Sequence, residues 1–249
     1  MSSHASSRPR GQVSLERALS KLGITSRASA REWILEGRVR VNGRIVRNPG
    51  HRVSPERARI LVDGVRAARL AWRTLVLNKP RGTVTTRRDP EGRPTVFDVL
   101  GDAGRSLVAV GRLDLATTGL LILTSDTQLA ARLADPSSLI VRRYVVTVRG
   151  ALSDGSAARM VAGIDGLRAH SALVRKRSSR ETHLIVELTG GRNREIRRLC
   201  EACGHEVTAL KRIAFGGLVL GALAPGEWRE VSREEVDHAF ASAPAAADR

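Results

Sequence analysis

Residues 108–126, read Val-Ala-Val-Gly-Arg-Leu-Asp-Leu-Ala-Thr-Thr-Gly-Leu-Leu-Ile-Leu-Thr-Ser-Asp, constrain this chain more than any other stretch. Two apolar runs, 107–110 and 119–124, read as strands and enclose a polar loop carrying one arginine, Arg112, and one aspartate, Asp114. Loops held between rigid strands are where reactive side chains tend to be presented. By spacing alone Asp114 has two uses of equal standing: a carboxylate that does chemistry, or a turn residue that bonds its own backbone.

Further strands are expected at 74–77, 144–149, 171–176, 183–188 and 207–213. Helices fit after Asp126 and Asp154, each able to cap, and across 193–203. Strands outnumber helices without alternating regularly with them. The expected class is therefore α+β, a mixed, mainly antiparallel sheet flanked by helices.

A smaller module precedes this domain. Of the 42 basic and 25 acidic residues behind the net charge of +17, 15 basic and five acidic fall in the first 72 positions. Such an asymmetry marks a separate, basic unit. Within it, Ser14 can cap a helix carrying Leu15, Ala18, Leu19 and Leu22 and ended by Gly23. Ser26 can cap a second, with Ala30, Trp33, Ile34 and a stop at Gly37. Alternation around Asn42-Gly43 predicts a hairpin, and 60–65 a further strand and turn. Arg27, Arg31, Arg38, Arg40 and Arg44 decorate the unit. A solvated arginine-rich surface is the bland alternative, but crowding into one small module favours RNA binding.

The expected layout is a tail at 1–12, the basic module at 13–68, a linker at 69–73, the main domain at 74–235 and a second tail at 236–249. A polyanion is the default partner for so basic a chain, nucleic acid before an anionic membrane surface. No apolar run approaches the ~20 residues that span a bilayer, and no Lys/Arg-rich amphipathic helix with bulky apolar residues opposite is visible. The Ser- and Arg-rich start is not a secretory signal. Two cysteines are too few for a disulfide framework, which suggests the cytoplasm.

The helix over 193–203 carries an apolar stripe of Ile196, Leu199, Cys200 and Cys203, with Arg194 and Arg198 opposite and Arg197 on its flank. Cys200-x-x-Cys203 with His205 nearby invites a zinc or redox reading. A closed zinc site needs four ligands, and both cysteines lie on the stripe, so core is the better assignment. Taken alone, Arg197 is an ordinary surface arginine and Tyr144 a core residue. Lys79 and Arg112 are candidates to face RNA, against the alternatives of a surface lysine before proline and a simple ion pair. Arg87 and Arg88, with Arg93, surround an exposed turn at Asp89-Pro90 and Gly92.

Several segments resemble known families. The phrase "SRASAREWILEGRVRVNGRIV" resembles an S4 RNA-binding domain. "GRLDLATTGLLILTSD" resembles the signature loop of pseudouridine synthases, in the form found in the RsuA/RluB branch, and "LNKPRG", "RRYVVTV" and "GGRNREIRRLCEACGHEV" resemble that family's other blocks in order and spacing. The resemblance implies an S4 module followed by a pseudouridine-synthase domain. It implies Asp114 as the catalytic carboxylate, Tyr144 as the face on which a flipped base rests and Arg197 as the cation beside Asp114. The reaction needs no metal, redox partner or small-molecule cofactor, and a monomer is expected. Ribosomal RNA or a pre-ribosomal particle is the implied partner. The run "RRDPEGRPTVFD" resembles large-subunit members more than small-subunit ones. A non-catalytic RNA-binding or ribosome-assembly factor would share the charge but not the full set of Asp114, Tyr144 and Arg197. A cytidine-type deaminase is excluded, because its His-x-Glu and Pro-Cys-x-x-Cys elements are absent.

Overall fold

Serine caps and glycine stops organise the N-terminal unit. In the computed structural model, which describes residues 11–67 and 71–241, α1 (Leu15–Lys21) follows Ser14 and α2 (Arg27–Leu35) follows Ser26. Ser26 Oγ accepts from Ser29 N at 3.1 Å, whereas Ser14 has the extended backbone of a cap without a side-chain bond. β1 (Val13–Ser14) pairs with β4 (Arg52–Val53). β2 (Val39–Val41), β3 (Arg44–Ile45), β5 (Ile60–Val62) and β6 (Val65–Arg66) form an antiparallel sheet in the order β3-β2-β5-β6. The β2–β3 turn has φ +49° at Asn42 and +86° at Gly43, the left-handed pair that a two-residue hairpin needs. Leu15, Leu19, Ile34, Val39 and Ile60 form its buried core.

The described residues divide into two compact units, the second made of residues 73–124 and 128–241. Its sheet runs β11-β12-β10-β13-β9-β7-β15. These strands are β7 (Thr74–Lys79), β9 (Thr118–Thr124), β10 (Arg142–Arg149), β11 (Ser171–Arg177), β12 (Glu181–Leu188), β13 (Val207–Phe215) and β15 (Trp228–Glu230). The short β8 (Val108–Ala109) pairs with β9 and β14 (Leu218–Val219) with β13. Only β9 and β13 run parallel, so the sheet is mixed and mainly antiparallel. That parallel pair is unusually close: a Cβ on Gly119 (φ +99°) would stand 2.2 Å from the Arg212 carbonyl, so only glycine fits. Helices α4 (Thr127–Ala134), α5 (Asp154–Ala162) and α6 (Glu195–Ala202) accompany the sheet. A core of Leu75, Leu77, Leu121, Tyr144, Val146, Leu184, Leu199 and Cys200 joins α6 to the sheet.

Several expectations need correction. The cap of α5 is Ser153, which accepts from Ser156 N at 3.0 Å; Asp154 sits inside the first turn, where its charge favours the helix N-terminus. Helix α3 (Val96–Leu100) was not foreseen, although Thr95 and Asp98 form a reciprocal capping box ahead of it. The supposed tail from 236 is ordered at its start. Helix α7 (Arg233–Ala239) buries Val236, and its C-cap Phe240, also buried, meets the Phe215 ring edge-on at 5.8 Å. The first ten residues of the proposed N-terminal tail, residues 68–70 at the proposed linker, and 242–249 lie outside the described residues. Among the described residues, no helix is long and apolar enough to cross a membrane.

Candidate active site

Asp114 stands on the loop between β8 and β9, and its neighbours on both sides are tied down. Thr85 Oγ1 donates to Leu113 O at 3.0 Å and accepts from Leu113 N at 3.2 Å. Gly82 N donates to Leu115 O at 2.9 Å. Lys79, at the end of β7, is 0% exposed, and its Nζ donates to Pro80 O (3.0 Å), Thr117 O (2.8 Å) and Leu115 O (3.5 Å). The turn itself is closed by backbone, Thr117 N to Asp114 O at 3.0 Å. This leaves the half-buried Asp114 carboxylate without a hydrogen-bond partner among the described residues, facing a cleft of about 580 Å³. The turn-forming alternative for this side chain is thereby set aside.

Lys79 is neither the RNA-facing candidate nor the surface lysine before proline that the sequence offers. It is an internal clip. Its three N–H groups meet three carbonyls, two of them in the aspartate loop. Burial lowers its pKa to about 8, against Asp114, which favours the charged form. The unfolded chain holds this proton to roughly pH 10.4. Between those values the unfolded state binds more protons, so Lys79 opposes folding below the window and ceases to do so as pH rises through it. The stability of the wild type relative to Lys79→Met, measured by urea unfolding, is therefore expected to rise between about pH 8 and 10. An unchanged difference across that range would contradict the lowered pKa.

Tyr144 lies on the cleft floor, 8% exposed. It is joined there by Arg142, Arg212, Phe215 and Glu195, none of which had been assigned to the site. The signal for Arg142 was present: Arg142, Tyr144, Val146 and Val148 alternate on one buried face of β10. Arg212 is harder to find, because it depends on the pairing of β13 with β10 and β9.

Arg197 does not form a contact ion pair with Asp114. Its Nη1 donates to Val207 O at 3.0 Å, and its Nε is buried without a partner. Burial first, then Arg194, lowers its pKa, while Asp114 pulls in the opposite direction. The two groups thus act on each other electrostatically, through a guanidinium that the β13 backbone anchors.

The remaining arginines separate. Arg112 and Arg194 are exposed on the cleft lining, Arg194 at the start of α6 in a left-handed conformation (φ +51°). Arg198 lies away from the cleft and lines a separate pocket with Glu201. Arg87 and Arg88 are both exposed, but the Arg87 guanidinium donates to Leu107 O and stacks on Phe97 at 4.3 Å, so it braces the loop. In the N-terminal unit Arg27, Arg31, Arg40 and Arg44 are exposed, with Arg31 4.0 Å from Glu16. Arg38 is committed to Asp63 at 2.6 Å and to the Trp33 ring, which makes it a brace before it is a phosphate contact. Cys200 is core, its thiol pushed up to about 12 by burial, and Cys203 packs against the same core.

Comparison with known proteins places both units in families. A model described as RNA pseudouridylate synthase matches residues 73–202, and an S4 domain model matches 14–58. An RNA pseudouridine synthase of Aquifex aeolicus is 38% identical, over 92% of this chain and 94% of that protein. Ribosomal large subunit pseudouridine synthase B of Pseudomonas aeruginosa is 42% identical, over 90% of this chain and 60% of that protein. A crystal structure of a pseudouridylate synthase superposes with TM-score 0.63 at 26% identity, covering 91% of this chain and 99% of that one.

Proposed function

The chain belongs to the RNA pseudouridylate synthase family, in its RsuA/RluB branch with an S4 domain ahead of the catalytic one, and on that premise we propose that it converts one uridine of large-subunit ribosomal RNA to pseudouridine. The observation that carries the proposal is the Asp114 carboxylate: free of internal bonds, on a doubly tethered loop, facing a cleft with Tyr144 on its floor.

The reaction breaks the uracil N1–C1′ bond, turns the base and joins C5 to C1′. N1 takes the electron pair and a proton, and C5 gives up its own proton. An ionised carboxylate serves either as nucleophile at C1′ or as base toward a sugar proton, and both routes need it charged yet partly desolvated. The cationic side chains of Lys79 and Arg197 both feel the Asp114 carboxylate. A uridine inside a stack cannot reach this cleft, so the base is flipped and rests against Tyr144. The exposed Arg112 and Arg194 meet the flanking phosphates, and the S4 unit supplies the broader electrostatic hold through Arg27, Arg31, Arg40 and Arg44.

The test is conversion in vitro. The full chain is expected to convert one uridine of large-subunit RNA in the presence of a chelator and without any added cofactor. Deleting residues 1–68 removes most of the basic excess; the remaining unit keeps its own core, so it should fold. We expect weaker RNA binding, with the log–log salt slope shallower by about 3, as for three or four lost phosphate contacts. An unchanged slope would mean that the S4 unit is not the anchor. Absence of any conversion by the full chain would remove the function itself.

A further inference from the structure

Two buried arginines stand on the cleft floor, neither bonded to an acidic side chain among the described residues. Arg142 is 6% exposed and Arg212 3%, and their guanidinium carbons lie 4.6 and 5.1 Å from the centroid of the Phe215 ring. Arg142 spends its hydrogens on the carbonyls of Leu133, Ile140, Thr189 and Gly190. Arg212 does not. Its Nε donates to Leu120 O at 2.7 Å, but its Nη2 is buried with no hydrogen-bond partner. A charged donor left unpaired inside a protein is costly, and one that persists calls for an explanation in function.

Strand register places this donor. Arg212 is the cross-strand partner of Tyr144 on β10 and of Gly119 on β9, so the arginine and the tyrosine stand side by side on one face of the sheet. Both line the cleft that holds Asp114. The exposed arginines of the cleft, Arg112, Arg192 and Arg194, suit the phosphates of an RNA strand. A group buried at the floor meets whatever enters deepest, and for a flipped nucleotide that is the base.

Resting on the reading of a uridine substrate, we propose that Arg212 is a base-binding catalytic residue whose Nη2 donates to a carbonyl oxygen of the flipped uracil beside Tyr144. When N1–C1′ breaks, the electron pair left on N1 spreads onto the uracil carbonyl oxygens. A guanidinium is an obligate donor that keeps its proton, and one fixed in advance where charge develops favours the transition state over the bound uridine. Glu195, a buried acid of the same cleft, accepts from Arg192 N at 3.2 Å and makes no ion pair with Arg142 or Arg212.

A chemical double-mutant cycle on the full chain tests this. Wild type and Arg212→Met are compared in single-turnover conversion of a stem-loop RNA that the wild type accepts, with uridine, 2-thiouridine or 4-thiouridine at the target. Sulfur is a poor hydrogen-bond acceptor, and its effect on leaving-group strength is common to both proteins and cancels in the cycle. On uridine, Arg212→Met is expected to lose about 100-fold in rate, the scale of one removed oxyanion donor, with RNA affinity unchanged. One of the two thio substitutions should slow the wild type more than it slows the variant. Strictly additive losses for both thio substrates, or a full rate in Arg212→Met, overturn the proposal. Where Arg212→Met fails to fold, Arg212→Lys keeps a cation able to reach Leu120 O without the second nitrogen, and gives the same comparison. Failure of the underlying reading is a different result: wild type that converts no uridine, or Asp114→Asn that still does.

Discussion

Asp114→Asn is expected to give a protein that folds, binds RNA with wild-type affinity and forms pseudouridine at least ~10⁴-fold more slowly, down to background. Asparagine copies the shape of aspartate, and nothing in the loop depends on the carboxylate as an acceptor. The turn is closed by the Asp114 carbonyl and Thr117 N, and the flanking residues are held by Thr85 and Lys79. What is lost is chemical. An amide neither attacks C1′ nor removes a sugar proton, so both routes to bond cleavage close together. Lys79 and Arg197 also lose the attraction they feel toward Asp114, which adds a small drop in melting temperature. Release of tritium from C5-labelled uridine, filter binding and a thermal melt together separate these effects. A purified Asn variant of normal activity would remove Asp114 from the mechanism. A variant inactive only because it no longer binds RNA would move the residue from chemistry to recognition.

The strands around Asp114 were legible because their cause is local. Apolar runs of strand length between turn residues have few alternatives, and Asn42-Gly43 states its own backbone conformation. The stripe on α6 was read correctly down to Cys200 and Cys203 for the same reason. Helices α3 and α7 carry clear caps at Thr95 and Ser232, but they bury only two and one residues within the helix, too little pattern to announce it, whereas the seven residues of α1 bury Leu15, Ala18 and Leu19. α7 exists because Phe240 has the Phe215 ring to pack on, a partner 25 positions earlier in the chain.

Side-chain destinations were less legible than elements. Lys79, Arg87 and Arg38 have the composition of RNA contacts, and each is turned to internal use by a partner distant in sequence or set by the turn: carbonyls of the aspartate loop, the Phe97 ring and Leu107 carbonyl, and Asp63. Arginine makes this error easy, since its fork suits a phosphate and a row of carbonyls equally well. The reverse error hid Arg212. A cation next to apolar residues on a central strand reads as a lapse in the pattern until the neighbouring strands show what stands beside it. Departures from the local rules thus concentrate at the cleft, where function sets the terms.

The target RNA gives the second large effect: deleting the gene is expected to erase one pseudouridine of large-subunit ribosomal RNA, from full occupancy to none, and no other. Selection of a single site asks for a rigid mouth to the cleft, and the turn after β7 provides one. Asp89, with its side chain almost wholly buried, accepts from Arg93 N and Nε at 2.9 Å and from Nη2 at 2.8 Å, and the Arg93 guanidinium holds its carboxyl below the usual range. Glu91 meets the same guanidinium at 2.9 Å. Arg87 is folded back onto Phe97, and Thr85, Thr86, Asp89 and Arg93 all line the cleft. A turn locked this tightly does not reshape itself around many RNA contexts, so it admits those whose strands beside the flipped base already fit. The large-subunit proposal is supported by the run "RRDPEGRPTVFD" and by relatives named for that subunit. Mapping pseudouridines across both ribosomal RNAs, with and without the gene, decides it, and re-expression of wild type but not of Asp114→Asn should restore the mark. If the mark that disappears lies in small-subunit RNA, the target is wrong while the enzyme class stands. If several marks disappear together, the locked turn is not what selects the site.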